Sequence, residues 1–95
     1  MPGGWVYILA NRPGGVLYVG VTAQLARRAW EHRTGTGSDF VKRYGVTRLV
    51  YAEHHDDIIR AIQREKTVKH WPRAWKVDLI ATMNPAWDDL HDRLN

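Results

Sequence analysis

The chain has 95 residues, 44% of them hydrophobic, with five Trp and four Tyr, which excludes a disordered segment and supplies apolar surface for one compact domain. It has no cysteine, so a disulfide framework and a thiolate metal site are excluded, and an intracellular, cytoplasmic location is expected. No stretch has the pattern of an export leader or the length of a membrane span, and the net charge of +4 suits a polyanionic partner.

In chain order, Trp5 to Ala10 is wholly aromatic and aliphatic and stops at Asn11-Arg12-Pro13-Gly14-Gly15, a dense turn signal. Val16 to Val21 reads as a second strand, so the two form a β-hairpin that can bring Tyr7 and Tyr18 together. Thr22 is a candidate N-cap for a helix to about Arg33, with Leu25, Ala26 and Ala29 on its apolar face. Residues 34–39 read as loop, Phe40 to Tyr44 as a short turn of helix, and Leu49 to Glu53 as a third strand beside the hairpin. Asp56 or Asp57 then caps a longer helix, with Ile58, Ile59, Ile62 and Val68 at helical spacing and Pro72 as its stop. A further helix spans Arg73 to Met83; Asn84-Pro85 breaks it, and Ala86 to Leu94 reads as a short acidic helix with Trp87 and Leu90 inward. This order predicts a single α+β domain over residues 1–95, with a small three-stranded antiparallel sheet flanked by helices.

Charge is unevenly spread. Residues 1–48 carry Arg12, Arg27, Arg28, Arg33, Lys42, Arg43 and Arg48 against Glu31 and Asp39 alone, and residues 60–76 repeat the excess around a lone acid, Glu65. The two basic segments can meet in the fold as a nucleic-acid-binding face, although solvated helix surfaces account for the same charge. Glu65 has Ala61, Ile62, Val68 and Lys69 as helical neighbours, so a carboxylate projects from a mostly apolar side, where it needs an ion pair, with Lys69, or a metal. Arg28 and His32, four apart, share a helix face and can hold a phosphate, Arg through its fixed fork and His through a proton near neutrality; a solvated face is the plainer account. His54-His55 reads as solvated loop, and Trp71, Trp75 and Trp87 as residues packing helices on the sheet.

Taken together, these residues resemble the GIY-YIG nuclease family, and the small stand-alone bacterial type within it. Its two name triplets correspond to Trp5-Val6-Tyr7 and Tyr18-Val19-Gly20, with Trp for the first Gly and Val for each central Ile. The family's first-helix Arg is matched by Arg28, the His or Tyr four residues later by His32, the acidic metal ligand by Glu65 in Arg-Glu-Lys, and a polar residue near the C-terminus by Asn84. The resemblance covers almost the whole chain.

It implies a metal-dependent endonuclease acting on DNA phosphodiester bonds, in repair or recombination, with Tyr7, Tyr18, Arg28, His32 and Glu65 catalytic. Glu65 would hold one Mg²⁺ or Mn²⁺, Arg28 would stabilise the transition state, and Tyr7 or Tyr18 would activate water or bind the scissile phosphate. Gly20, Arg27, Lys69 and Asn84 are the implied substrate contacts. A tyrosine base needs its pKa lowered by nearby positive charge, or a relay through His32. With no further domain expected, DNA shape, branched forms included, rather than base sequence would be recognised, and a protein partner could supply targeting. Oligomeric state stays open. A silent DNA-binding module of the same fold and a protein-interaction domain are the alternatives.

Overall fold

A computed structural model describes residues 3–35 and 39–93. Its core is a three-stranded antiparallel sheet in the order β2-β1-β3, built from β1 (Gly4–Ala10), β2 (Leu17–Thr22) and β3 (Arg48–His55). The uninterrupted apolar run of β1 follows from its central place, because a strand covered on both faces has no solvent side to keep polar. The hairpin turn is closed by Gly15 N–H donating to the Arg12 carbonyl and Val16 N–H donating to Asn11 Oδ1, with Gly14 at φ +71°.

One sheet face buries Val6, Ile8, Ala10, Val19, Val50 and Tyr51 against Ala61 and Val68 of α3 (Ile58–Lys69) and Ile80 of α4 (Arg73–Ala81). The other buries Tyr7, Leu9 and Leu49 against Leu25 and Ala29 of α1 (Leu25–Arg33), Val41 of α2 (Asp39–Tyr44) and Leu90. Helices thus cover both sides of an antiparallel sheet, the α+β arrangement read from the sequence. Among the described residues, no helix is long and apolar enough to cross a membrane.

Several boundaries differ from the sequence expectations, each for a tertiary reason. Thr22 does not cap α1: it is the last residue of β2, paired with Trp5, and its Oγ1 accepts from Gln24 N–H, so α1 starts at Leu25 with Ala26 exposed. Asp57 rather than Asp56 caps α3, accepting from Ile59 N–H at 2.8 Å, and the buried stripe of α3 is Ala61, Glu65 and Val68, with Ile59 and Ile62 exposed. β3 runs on through His54 and His55, which are therefore strand residues: His54 sets its ring edge-on to Trp5, and His55 pairs with Glu53.

Among the described residues the acidic C-terminal helix expected over Ala86 to Leu94 does not form, and Leu94 lies outside them. Asn84 accepts from Asp88 N–H and donates to the Asp88 carbonyl, Trp87 takes φ +58°, and a 3₁₀ turn, Leu90–Arg93, follows. A side chain bonded to nearby backbone competes with helix in this way. Trp87 and Leu90 are nonetheless buried, while Trp75 is 55% exposed and meets Trp71 edge-on, so it does not pack a helix onto the sheet.

Candidate active site

Tyr7 and Tyr18 stand on the same face of the hairpin, Tyr7 opposite Gly20 and Tyr18 opposite Leu9. His32 reaches in from the last turn of α1, and the three rings gather with centroids 5.7–6.4 Å apart. The Tyr7 hydroxyl and His32 Nε2 are 3.0 Å apart in a hydrogen bond, with Tyr7 3% and His32 1% exposed. His32 Nδ1 is buried with no partner among the described residues. The pairing bridges 25 positions of sequence and joins the sheet to α1 at one atom pair.

The electrostatics centre on Tyr7. Burial drives its phenol pKa well above the ordinary value near 10; Tyr18, Glu65 and Glu31 add to the rise and Arg28 opposes it. These surroundings favour the protonated phenol at ordinary pH. His32 moves the other way: burial, reinforced by Arg28 and opposed by Glu31, lowers its pKa from 6.5 and keeps the imidazole neutral. Burial thus opposes the lowered phenol pKa expected for a tyrosine base, while the Tyr7–His32 hydrogen bond has the geometry of a relay.

Glu65 sits in the middle of the buried stripe of α3, 9% exposed, with Oε1 3.5 Å from Lys69 Nζ. That ion pair joins Lys69 to the carboxylate it was expected to accompany. Arg28 is half exposed on α1, its Nε 3.6 Å from Glu31, and Arg27 lies further out on the same helix. Only the first basic segment contributes cations to a cleft here, through Arg27 and Arg28. A cleft of about 530 Å³ lies between the start of α1 and the start of α3, lined by Thr22, Gln24, Arg27, Arg28 and Glu31 on one side and Ile58 and Ile62 on the other. Arg28, which lines it, is also the cation whose charge acts on the Tyr7 phenol.

Gly20 and Asn84 each have a structural task in the fold. A Cβ built on Gly20 would stand 2.4 Å from both Cζ and Oη of Tyr7, so glycine makes room for the Tyr7 ring. Asn84 is buried with its amide spent on the chain: Nδ2 donates to the Val50 and Asp88 carbonyls and Oδ1 accepts from Asp88 N–H. Val50 is the residue that a bulge in the β1–β3 ladder leaves without a cross-strand partner, and Asn84 satisfies its carbonyl. The asparagine therefore locks β3 to the C-terminal turn.

A second charged cluster on the opposite sheet face had no local signal beyond an acid in a strand and a base in a helix. Glu53 of β3 receives a bidentate Arg64 (Nε 3.0 Å, Nη2 3.3 Å), the Tyr51 hydroxyl at 2.6 Å and His55 Nε2 at 2.5 Å, while Arg64 stacks 4.9 Å above Trp71. Burial alone would raise the Glu53 carboxyl; hydrogen bonds from Arg64, Tyr51 and His55 outweigh it and hold the pKa below the usual range. This clamp fixes α3 through the residue next to Glu65.

The GIY-YIG catalytic domain matches residues 3–78 of the chain, a span containing all five candidate catalytic residues. The protein belongs to the GIY-YIG nuclease family. A UPF0213 protein of Natronomonas pharaonis is 35% identical over 77 residues, 81% of this chain and 89% of the relative. One from Clostridium perfringens is 30% identical over 91 residues, 96% and 97% of the two chains. The solution NMR structure of the UPF0213 protein from Bacillus halodurans superposes with a TM-score of 0.56 at 29% identity, covering 92% of each chain. The fold and the family of this GIY-YIG protein therefore agree with each other and with the triplets on β1 and β2.

Proposed function

We propose that this GIY-YIG protein hydrolyses DNA phosphodiester bonds with the help of one divalent cation, acting on repair or recombination intermediates that include branched DNA. The observation that carries the reading is the buried Tyr7–His32 hydrogen bond, with Arg28 and Glu65 both close enough to act on the Tyr7 phenol. A sheet tyrosine needed only for packing has no use for a neutral histidine at its hydroxyl and an arginine and a carboxylate around it.

The donor set fits a hard cation. Glu65 offers one carboxylate, and among the described residues no group of three His, Cys, Asp or Glu is placed to hold a metal. A Mg²⁺ or Mn²⁺ held there would take its remaining ligands from water and substrate phosphate, as Mg²⁺ commonly does, whereas a protein-only Zn²⁺ site needs more side chains. When bound, such a cation neutralises charge on the phosphoryl oxygens and the leaving group. Glu65 would exchange its contact with Lys69 for the cation, and Lys69 would be free to reach a phosphate.

The chain's own residues do the rest. Arg28 would place its guanidinium on the phosphate, and release from Glu31 frees it to do so. The attacking water would give its proton to the Tyr7 oxygen as the Tyr7 proton passes to His32 Nε2, so that imidazolium forms and no free phenolate is needed. Tyr18, beside both rings, would hydrogen-bond the scissile phosphate. Arg27 at the cleft rim would hold a neighbouring phosphate.

The test is cleavage of labelled duplex, single-stranded, flap and junction DNA with Mg²⁺ or Mn²⁺, comparing the wild type with Glu65→Ala. Cutting that a chelator and the variant both abolish supports the reading. Salt-sensitive DNA binding by both proteins without cutting would replace it with a silent binding module, and no DNA binding with a protein-interaction domain.

A further inference from the structure

The aromatic cluster of the site does not end at the catalytic rings. From buried Tyr7 it passes to Tyr18, then to Phe40 on α2 (centroids 5.7 Å apart) and on to Tyr44 one helical turn later (4.7 Å). Exposure rises along the row, to 39% at Phe40 and 45% at Tyr44. These two rings are not what docks α2, because Val41, fully buried in the cluster around Tyr7 and Leu9, anchors the helix. Two large rings at i and i+4 are left facing solvent, in contact with each other and with a catalytic tyrosine.

The same helix carries Lys42 and Arg43, both exposed and without an ion pair among the described residues, against one acid, Asp39. Part-exposed rings beside cations with no ion pair among the described residues, continuous with a phosphodiester site, are the two parts of a single-strand binding surface: bases stack on the aromatics and the backbone lies against the positive charge. We propose that Tyr18, Phe40 and Tyr44, with Lys42 and Arg43, form a stacking platform for unpaired nucleotides of a DNA strand whose neighbouring phosphodiester enters the Tyr7–Tyr18 site. The inference rests on the nuclease reading for its orientation and adds the substrate class: DNA with an unpaired arm next to the cut. Charge complementarity selects this occupant, since an apolar protein partner would not need Lys42 and Arg43 bare at the rim.

The experiment measures fluorescence anisotropy of a labelled single-stranded oligonucleotide and of the same sequence as a duplex, in chelator so that nothing is cut. Phe40→Leu, which keeps apolar bulk but loses the ring, and Tyr44→Ala should each weaken single-strand binding about 5- to 100-fold, the scale of losing one stacked base, and leave duplex binding unchanged. Phe40→Trp should restore it. An abasic oligonucleotide should bind the wild type as weakly as the normal strand binds Phe40→Leu, and Lys42→Ala should lower the salt slope by about one phosphate contact. Thermal melts of each variant separate lost binding from lost folding. Wild-type single-strand affinity in folded Phe40→Leu and Tyr44→Ala would overturn the platform; if duplex still binds, the nuclease reading survives it. Failure to bind either DNA would overturn both.

Discussion

Replacing Gly20 by alanine tests whether the geometry of Tyr7 is what the second triplet protects. The added methyl would stand 2.4 Å from Cζ and Oη of Tyr7 and 2.9 Å from Cε1. Because the ring is 3% exposed and tied to His32 at 3.0 Å, it cannot swing into solvent and must slide, stretching or breaking that bond. Overpacking of this kind costs about 1–3 kcal/mol, and the lost hydrogen bond adds about 1 kcal/mol. For a domain of this size each kcal/mol lowers Tm by about 4–8 °C. Cleavage should suffer more than stability, since a displacement of ~1 Å at a reacting group can cost on the order of 100-fold. The assay is a double-mutant cycle in thermal melts with Gly20→Ala, Tyr7→Leu and both together, with single-turnover cleavage by wild type and Gly20→Ala. The methyl should destabilise strongly when Tyr7 is present and far less when leucine leaves room, a coupling of about 1–3 kcal/mol. Strict additivity, or a Gly20→Ala protein cutting at the wild-type rate, would refute the reasoning.

Other expectations follow from the same contacts. Asn84→Ala should leave the Val50 carbonyl unsatisfied and cost about 1–3 kcal/mol in a melt, while the cleavage rate well below Tm stays near wild type; a selective loss of rate would show a part for Asn84 in substrate binding. His32 binds its proton less readily folded than unfolded, so its contribution to stability is complete above pH 6.5 and is lost as pH falls from 6.5 toward its lowered folded pKa. Melts between pH 5 and 7.5 should show that slope, reduced in His32→Gln, and the cleavage rate should fall on the same acid limb. Glu53 has a depressed folded pKa, so its contribution is present above the ordinary carboxylate pKa and is lost as pH falls through the folded one. Glu53→Gln should therefore flatten the acid side of the stability curve, and a wild-type profile in that variant would show that the Arg64 clamp is idle.

What the sequence made legible was local. The unbroken apolar run from Trp5 to Ala10 announced β1, and a carboxylate between Ala61 and Val68 announced Glu65, because helical periodicity alone puts it among buried neighbours. Thr22 misled because a good capping residue was already committed to the sheet opposite Trp5. Ile59 and Ile62 have core-like spacing but stay exposed, Ile62 in the wall of the cleft beside Arg28. Features made across long separations left no local trace: the Asn84–Val50 bond spans 34 positions, the Arg73 guanidinium reaches the Gly14 and Gly15 carbonyls across 59 and 58, and the Glu53–Arg64 clamp links the strand to the helix. The Tyr7–His32 pair was foreseen only through the family pattern, and nothing local indicated that burial raises the phenol pKa when catalysis by phenolate would want it lowered.

The most direct measurement is single-turnover DNA cleavage by Tyr7→Phe, Arg28→Ala, His32→Ala and Glu65→Ala, each shown folded by thermal melt, with Trp75→Ala as a distant control. If water is activated through Tyr7 and His32 while Arg28 and Glu65 bear the developing charge, all four should fall by about 100-fold or more and Trp75→Ala should not. A Tyr7→Phe or Glu65→Ala protein that cuts at the wild-type rate would contradict the account.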